Sequence, residues 1–135
     1  MGHPRRSTKK YMSLSIPHYW RIFRDTSNLT TLSVEIPESK DLSGLGADIE
    51  FFEDHSIFNE MNEAYPGIIV HADDFLPVGG CLVGTGDPYF IRVSEGEGGC
   101  LYQIYHDAVT DAKYSQQDAI AIVLKDYRDI LKYTF

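Results

Sequence analysis

Short alternating segments separated by brief, glycine-rich turns constrain the middle of this chain more than any other feature. Tyr89, Ile91 and Val93 fall on one face of a predicted strand, and residues 100–106 alternate in the same way. The connecting residues 94–99 are too few to hold a crossover between parallel strands. The sequence therefore predicts an antiparallel β-meander.

Segments with apolar residues at helical spacing flank this meander at residues 17–25, 47–65 and 115–133. The last is the clearest, because its apolar positions repeat at i, i+3, i+4 and i+7 and charged residues occupy the other face. Residues 31–36 alternate and predict a further strand. This segregation predicts an α+β fold: an antiparallel β-sheet (meander) with N-terminal helices and a C-terminal amphipathic helix packed on it.

The length of 135 residues fits one domain, which we place at residues 13–135. Residues 1–12 are basic and lack any helical or strand period, so we expect a loose, disordered-like tail. No segment is apolar and long enough for a signal peptide or a membrane span. Cys81 and Cys100 are expected to be free thiols, and the predicted location is the cytoplasm.

The charge of the chain is acidic and unevenly distributed. The formal net charge is −8, and four of the 12 basic residues lie in the first ten positions, without any acid. The remaining residues therefore carry 8 basic and 20 acidic side chains. A field of this sign repels nucleic acids and anionic membranes and attracts basic proteins.

Recognisable catalytic motifs are missing from the sequence. Gly84-Thr85-Gly86 lacks both the Lys-Ser/Thr ending of a phosphate loop and the third glycine of a dinucleotide fingerprint, so it is interpreted as a turn. No serine lies in a nucleophile-elbow pattern. We therefore predict no catalytic residue, no metal site and no cofactor.

Two alternatives stay open. His71 and His106, with Asp107 and nearby aspartates, could converge on a divalent cation in a small metal-dependent hydrolase. Shared ligation requires the two imidazoles to lie within about 5 Å of each other. The simpler interpretation is that His106 and Asp107 order a turn at a strand end. The other alternative is a homo-oligomeric scaffold, such as a homodimer formed through an edge strand.

The order of several landmarks resembles the SUKH superfamily, whose founding members are the fungal SMI/KNR regulators of cell-wall assembly. The resemblance covers residues 47–133. Its landmarks are Tyr65-Pro66-Gly67, Phe75-Leu76-Pro77-Val78-Gly79, Gly86-Asp87-Pro88-Tyr89-Phe90, Leu101-Tyr102-Gln103-Ile104-Tyr105-His106-Asp107 and a closing helix through Tyr127 to Leu131.

This resemblance implies a single α+β domain without an accepted catalytic site. Its motif residues are then expected to determine the fold: Leu76, Pro77, Gly79, Gly86, Asp87, Tyr102, His106 and Asp107. In particular, Asp87 is expected to fix the turn after Gly86, and His106-Asp107 to close the hairpin strand. Many bacterial members are thought to be immunity proteins that neutralise toxins.

Together, the acidic charge and the resemblance predict a non-catalytic protein-binding domain. The expected partner is a basic toxin, for instance a nuclease whose cleft binds phosphates. The candidate contacts are loop carboxylates that lie off the apolar phases: Asp73, Asp74, Glu95, Glu97 and Asp111.

Overall fold

The described part of the chain forms a six-stranded sheet accompanied by short helices. The computed structural model describes residues 15–82, 86–109 and 114–134. Within these residues, no helix is long and apolar enough to cross a membrane. The elements are α1 His18–Thr26, β1 Val34–Ile36, β2 Ala47–Phe51, α2 Asp54–Glu63, α3 Gly67–Val70, β3 Phe75–Cys81, β4 Tyr89–Arg92, β5 Leu101–Ile104, α4 Gln116–Ala119 and β6 Ile120–Leu124, followed by a 3₁₀ helix at Tyr127–Tyr133.

The sheet is a meander in which every strand pairs antiparallel with the next along the chain, in the order β1 to β6. The predicted α+β class and antiparallel sheet are thereby confirmed. Val34 of β1 also forms an isolated bridge with Thr134, which follows β6. The backbone N–H of Leu42, in the loop after β1, donates to the carbonyl of Val123 in β6 at 2.9 Å. The sheet therefore curls until its two edge strands approach each other.

Helix α1 fills the concave side of this curl with aromatic rings. The fully buried Trp20 ring lies 5.3 Å from the Tyr127 ring in an edge-to-face contact and 6.0 Å from the Phe51 ring. The Tyr19 hydroxyl donates to the Val93 carbonyl at 2.9 Å. Helix α1 is thus fixed against β2, the end of β4 and the C-terminal 3₁₀ helix at once.

A second, smaller cluster covers the other face of the central strands. Phe75, Phe90 and Ile104 from β3, β4 and β5 pack there with Val70 of α3. The central strands are therefore buried on both faces, which explains their nearly continuous apolar sequence.

Ion pairs join α1 to the start of α2. The buried Arg24 guanidinium lies 2.7 Å from Asp54 and 2.8 Å from Asp25, and Arg21 lies 2.9 Å from Asp54. Burial acts to raise the pKa of Asp54, but the hydrogen bonds and charges of Arg24 and Arg21 outweigh it and hold that pKa below its usual value. This contact therefore stabilises the fold at neutral pH and is lost as pH falls through the pKa of Asp54.

The predicted C-terminal amphipathic helix at residues 115–133 is wrong. Only Gln116–Ala119 is α-helical, and Ile120–Leu124 forms strand β6 against β5. The register shifts by one residue at Val123, so Val123 and Leu124 are both buried. Two adjacent buried residues break the strict alternation of a strand, and the apolar spacing that results resembles that of a helix. The β-branched residues and the pairing edge of β5 favour the strand.

The predicted helix over 47–65 is correct only in its second half, where α2 forms. Residues Ala47–Phe51 form β2, with Ala47, Ile49 and Phe51 buried in strict alternation. That alternation was present in the sequence, but the apolar residues further along gave a competing helical period. The short apolar run after Pro66 forms α3.

Two adjacent glycines in β3 give a matched test of this packing. A Cβ at Gly79 would lie 2.7 Å from Ile49 Cγ2, whereas one at Gly80 would make ordinary 3.4 Å contacts with the Phe52 ring. We expect Gly79→Ala to lower the free energy of unfolding by about 1–3 kcal/mol through overpacking. We expect Gly80→Ala to be neutral or to stabilise by up to about 1 kcal/mol. Urea denaturation measures both, and equal effects would contradict the packing described.

Candidate functional site

Asp87 connects the start of β4 to the end of β5. Its buried carboxylate accepts hydrogen bonds from the backbone N–H of His106 at 3.0 Å and interacts with the His106 ring at Nδ1. Its backbone carbonyl accepts a 3.0 Å hydrogen bond from the side chain of the buried Gln103. Asp87 follows Gly86, whose φ is +79°, and its side chain and carbonyl together tie the start of β4 to the end of β5.

The His106 imidazole lies between two carboxylates. Its Nε2 is 2.9 Å from Asp107 Oδ1, and the side chain is 45% exposed. The hydrogen bond to Asp87 is the main cause that raises the pKa of His106; partial burial opposes it, and the charges of Asp87 and Asp107 add to it. The arrangement favours a protonated imidazole, which suits an ion pair better than a general base.

The structure places His71 and His106 at opposite ends of the sheet. Strands β3 and β5 are both antiparallel to β4, so they run in the same direction. His71 precedes β3 and His106 follows β5. A seven-residue strand such as β3 spans about 20 Å. The ligand pair suggested for a metal-dependent hydrolase is therefore not brought together. In the described parts of the chain, no group of three or more His, Cys, Asp or Glu side chains is arranged to hold a metal ion.

Four of the five candidate contact carboxylates lie at the end of the sheet away from His106. Asp73 and Asp74 immediately precede β3, and Glu95 and Glu97 lie between β4 and β5. The Val93 backbone N–H donates to the Asp74 carbonyl at 2.9 Å, which joins the two segments. The fifth, Asp111, lies outside the described residues.

Two of these carboxylates already have hydrogen-bond partners. The hydroxyl of Tyr114 donates to Asp73, and the hydroxyl of Tyr102 donates to Glu95. Glu95 also accepts the backbone N–H of Cys100 at 2.9 Å. Burial, followed by these hydrogen bonds, raises the pKa of both tyrosines. Asp73 and Glu95 therefore stabilise local structure.

An open, mainly apolar groove of about 600 Å³ runs along the outer side of α1. Tyr19, Ile22 and Phe23 contribute its apolar wall, and Glu97 is its one carboxylate. Ile22 is exposed in this groove. Of the predicted contacts, Glu97 thus keeps an exposed side chain next to an apolar surface.

A second acidic surface, which the sequence interpretation missed, lies on the β1–β2 hairpin. Glu35 and Asp48 are directly opposite each other in the register of these antiparallel strands. Together with Glu38 and Leu45 they line an open groove of about 480 Å³. The alternation of residues 47–51 was the available signal, because it places Asp48 and Glu50 on the outward face of a strand.

The His106 contact predicts a specific pH dependence of stability. Because its pKa in the folded protein is raised above 6.5, its stabilising effect is fully present below about pH 6.5 and is lost as pH rises through the higher folded value. We expect the stability advantage of the wild type over His106→Gln to shrink as pH rises from about 5 to about 9. Urea denaturation across this range provides the measurement.

Asp107→Asn is the matched control for this pH series. Removing one of the two flanking charges should move the loss of stability to lower pH without abolishing it, because the hydrogen bond to Asp87 remains. A difference between wild type and His106→Gln that is constant, or that grows with pH, would contradict the role given to His106.

Comparison with protein-family models, with curated proteins and with solved structures finds no match to this chain. The resemblance to the SUKH superfamily therefore stays a prediction from the sequence landmarks. The geometry of the described residues is the basis on which a function is proposed.

Proposed function

We propose that this chain is a non-catalytic protein-binding domain that recognises a basic protein. The observation that carries the proposal is the large excess of acidic side chains, 20 against 8 basic ones after the first ten residues. Such a field accelerates association with positively charged proteins and disfavours nucleic acids and anionic lipid surfaces.

Internal ion pairs leave the size of this acidic excess unchanged, but they engage several of the basic side chains. Arg21 and Arg24 are paired with the start of α2, Arg128 lies 2.7 Å from Asp126, and Lys132 lies 3.4 Å from Asp129. These guanidinium and ammonium groups therefore neutralise particular neighbours. They do not offset the exposed carboxylates elsewhere on the surface, which stay available to a basic partner.

The surroundings of His106 also support binding rather than catalysis. A general base must be free to accept a proton at the pH of the reaction. The imidazole of His106 is instead held between Asp87 and Asp107. Asp87 also accepts a hydrogen bond from the backbone N–H of His106. The contacts of this group are those of a structural ion pair.

Within this function we propose an immunity role, in which the domain neutralises a toxin with a basic active-site cleft. The acidic charge supports it, together with the order of sequence landmarks that resembles the SUKH superfamily. The homo-oligomeric alternative is less favoured, because Thr134 bridges the β1 edge and Leu42 bonds to the β6 edge.

Affinity capture from the native lysate, using the full chain as bait at low and high salt, tests the proposed function. We expect a basic protein that is retained at low salt and released at high salt, since exposed charges are screened within about 10 Å at 0.1 M salt. Titration calorimetry with the purified partner should then show affinity falling with ionic strength. Co-expression should restore growth to cells that the partner poisons.

The capture has two outcomes that contradict the proposal. One is that the bait recovers no basic protein at low salt. The other is a partner whose affinity is the same at both salt concentrations, since electrostatic attraction would then not be the basis of recognition.

A further inference from the structure

Two like charges face each other on the β1–β2 hairpin. Glu35 and Asp48 are paired directly across the two antiparallel strands, where Cβ atoms lie about 4.5–5.5 Å apart. Like charges in this position destabilise a sheet. Among the described residues, neither carboxylate has an ion-pair partner. The repulsion between Glu35 and Asp48 therefore lowers the stability of the isolated domain, and no contact within the described residues compensates for it.

Two further carboxylates extend this charge. Glu50 lies two residues from Asp48 on the same face of β2, and its neighbour in β3 is Gly80, which has no side chain to cover it. Glu38 lines the same groove as Glu35 and Asp48. We call the surface formed by these four carboxylates and three exposed leucines the hairpin face. The leucines are Leu42, Leu45 and Leu82.

The leucines of the hairpin face are unusually exposed. Leu45 is 60% exposed, Leu82 58% and Leu42 56%, which are the highest values among the large hydrophobic side chains of the described residues. Leu45 lines the groove, and the Leu82 backbone N–H donates to the Asp48 carbonyl at 2.8 Å. Leu45 therefore lies beside Glu35, Glu38 and Asp48, and the backbone of Leu82 is bonded directly to that of Asp48.

Hydrogen bonds fix the loop that carries two of these leucines. The buried Asp41 carboxylate accepts the backbone N–H of Ser43 at 2.7 Å and its hydroxyl at 2.6 Å. The backbone N–H of Leu42 donates to Val123. Leu42 and Leu45 are thus held outward by an ordered loop, so covering them costs little additional conformational entropy.

We propose that the hairpin face is the docking surface for a basic protein whose contact segment combines lysine or arginine with aliphatic side chains. This inference rests on the proposed function and specifies where the partner binds and what it presents. The cations relieve the repulsion between Glu35 and Asp48, and the aliphatic groups cover the leucines. A metal ion or a purely cationic ligand would leave the leucines exposed.

The other surfaces fit this partner less well. At the opposite end of β3, Asp73 and Glu95 are hydrogen-bonded by tyrosine hydroxyls. The groove along α1 has one carboxylate, Glu97. The hairpin face combines several unpaired carboxylates with exposed aliphatic side chains.

Neutralising the like-charge pair separates binding from stability. The double variant Glu35→Gln/Asp48→Asn should raise the melting temperature by about 1–4 °C, because it removes the repulsion. The same variant should bind a basic probe roughly tenfold more weakly, at about threefold for each exposed charge. A pair with a merely structural role would give a lower melting temperature.

The matched control is Asp74→Asn/Glu97→Gln, which removes the same charge at the other end of the sheet. Asparagine tolerates the positive φ of 74° at position 74. The probes are two synthetic peptides of equal length and charge, in which lysines flank either two leucines or two serines. Fluorescence anisotropy at low salt gives affinities for the full chain, and amide chemical shifts locate the bound peptide.

We expect the leucine peptide to bind more tightly than the serine peptide and to shift amides of β1, β2 and residues 37–46. Leu45→Ser should reduce the difference between the peptides. Shifts confined to α1, to residues 73–75 or to residues 93–97, a control variant that weakens binding as much as the hairpin variant, or the absence of saturable binding would overturn the assignment.

Repeating the lysate capture with both double variants distinguishes the two proposals. If both variants retain the basic partner of the wild type equally, the docking surface is wrong and the proposed function stands. If the wild type itself retains no basic protein, the proposed function fails.

Discussion

Burial of the Trp20 indole inside the curl of the sheet is the interaction on which the rest of the structure depends. Its aromatic neighbours come from strand β2, through Phe51, and from the segment after β6, through Tyr127. A helix near the start of the described chain is thereby packed against both early and late parts of the sheet. Large aromatic surfaces supply much of the burial energy of a small domain, so this contact favours the curled sheet over a flat one.

The curl also determines how the charged groups are distributed. It brings the loop after β1 against β6, so that Leu42 and Leu45 lie on an ordered surface. Other carboxylates have structural partners: Asp41 within this loop, Asp87 at the β4–β5 junction and Asp54 at the start of α2. One acidic protein thus contains two kinds of carboxylate: those that hold the fold and those left for a partner.

The elements that could be predicted from the sequence were those specified by local patterns. The β4–β5 hairpin followed from alternation and a short glycine-rich turn, both of which act within about twenty residues. Strand β6 was mistaken for a helix because the bulge at Val123 buries two adjacent residues, so the apolar residues of this strand do not alternate and instead follow a helical spacing. The pairing edge of β5 decided the outcome, and no local pattern describes such an edge.

The sequence by itself determined the acidic field, the antiparallel β4–β5 hairpin and the lack of a recognisable catalytic motif, because composition and local periodicity are enough for each of these. Only the tertiary structure decided which carboxylates are available to a partner. Asp73 receives its hydrogen bond from Tyr114, 41 residues away, and Glu35 meets Asp48 through strand register. Such contacts depend on how distant segments pair and pack. Local sequence patterns do not predict that pairing and packing.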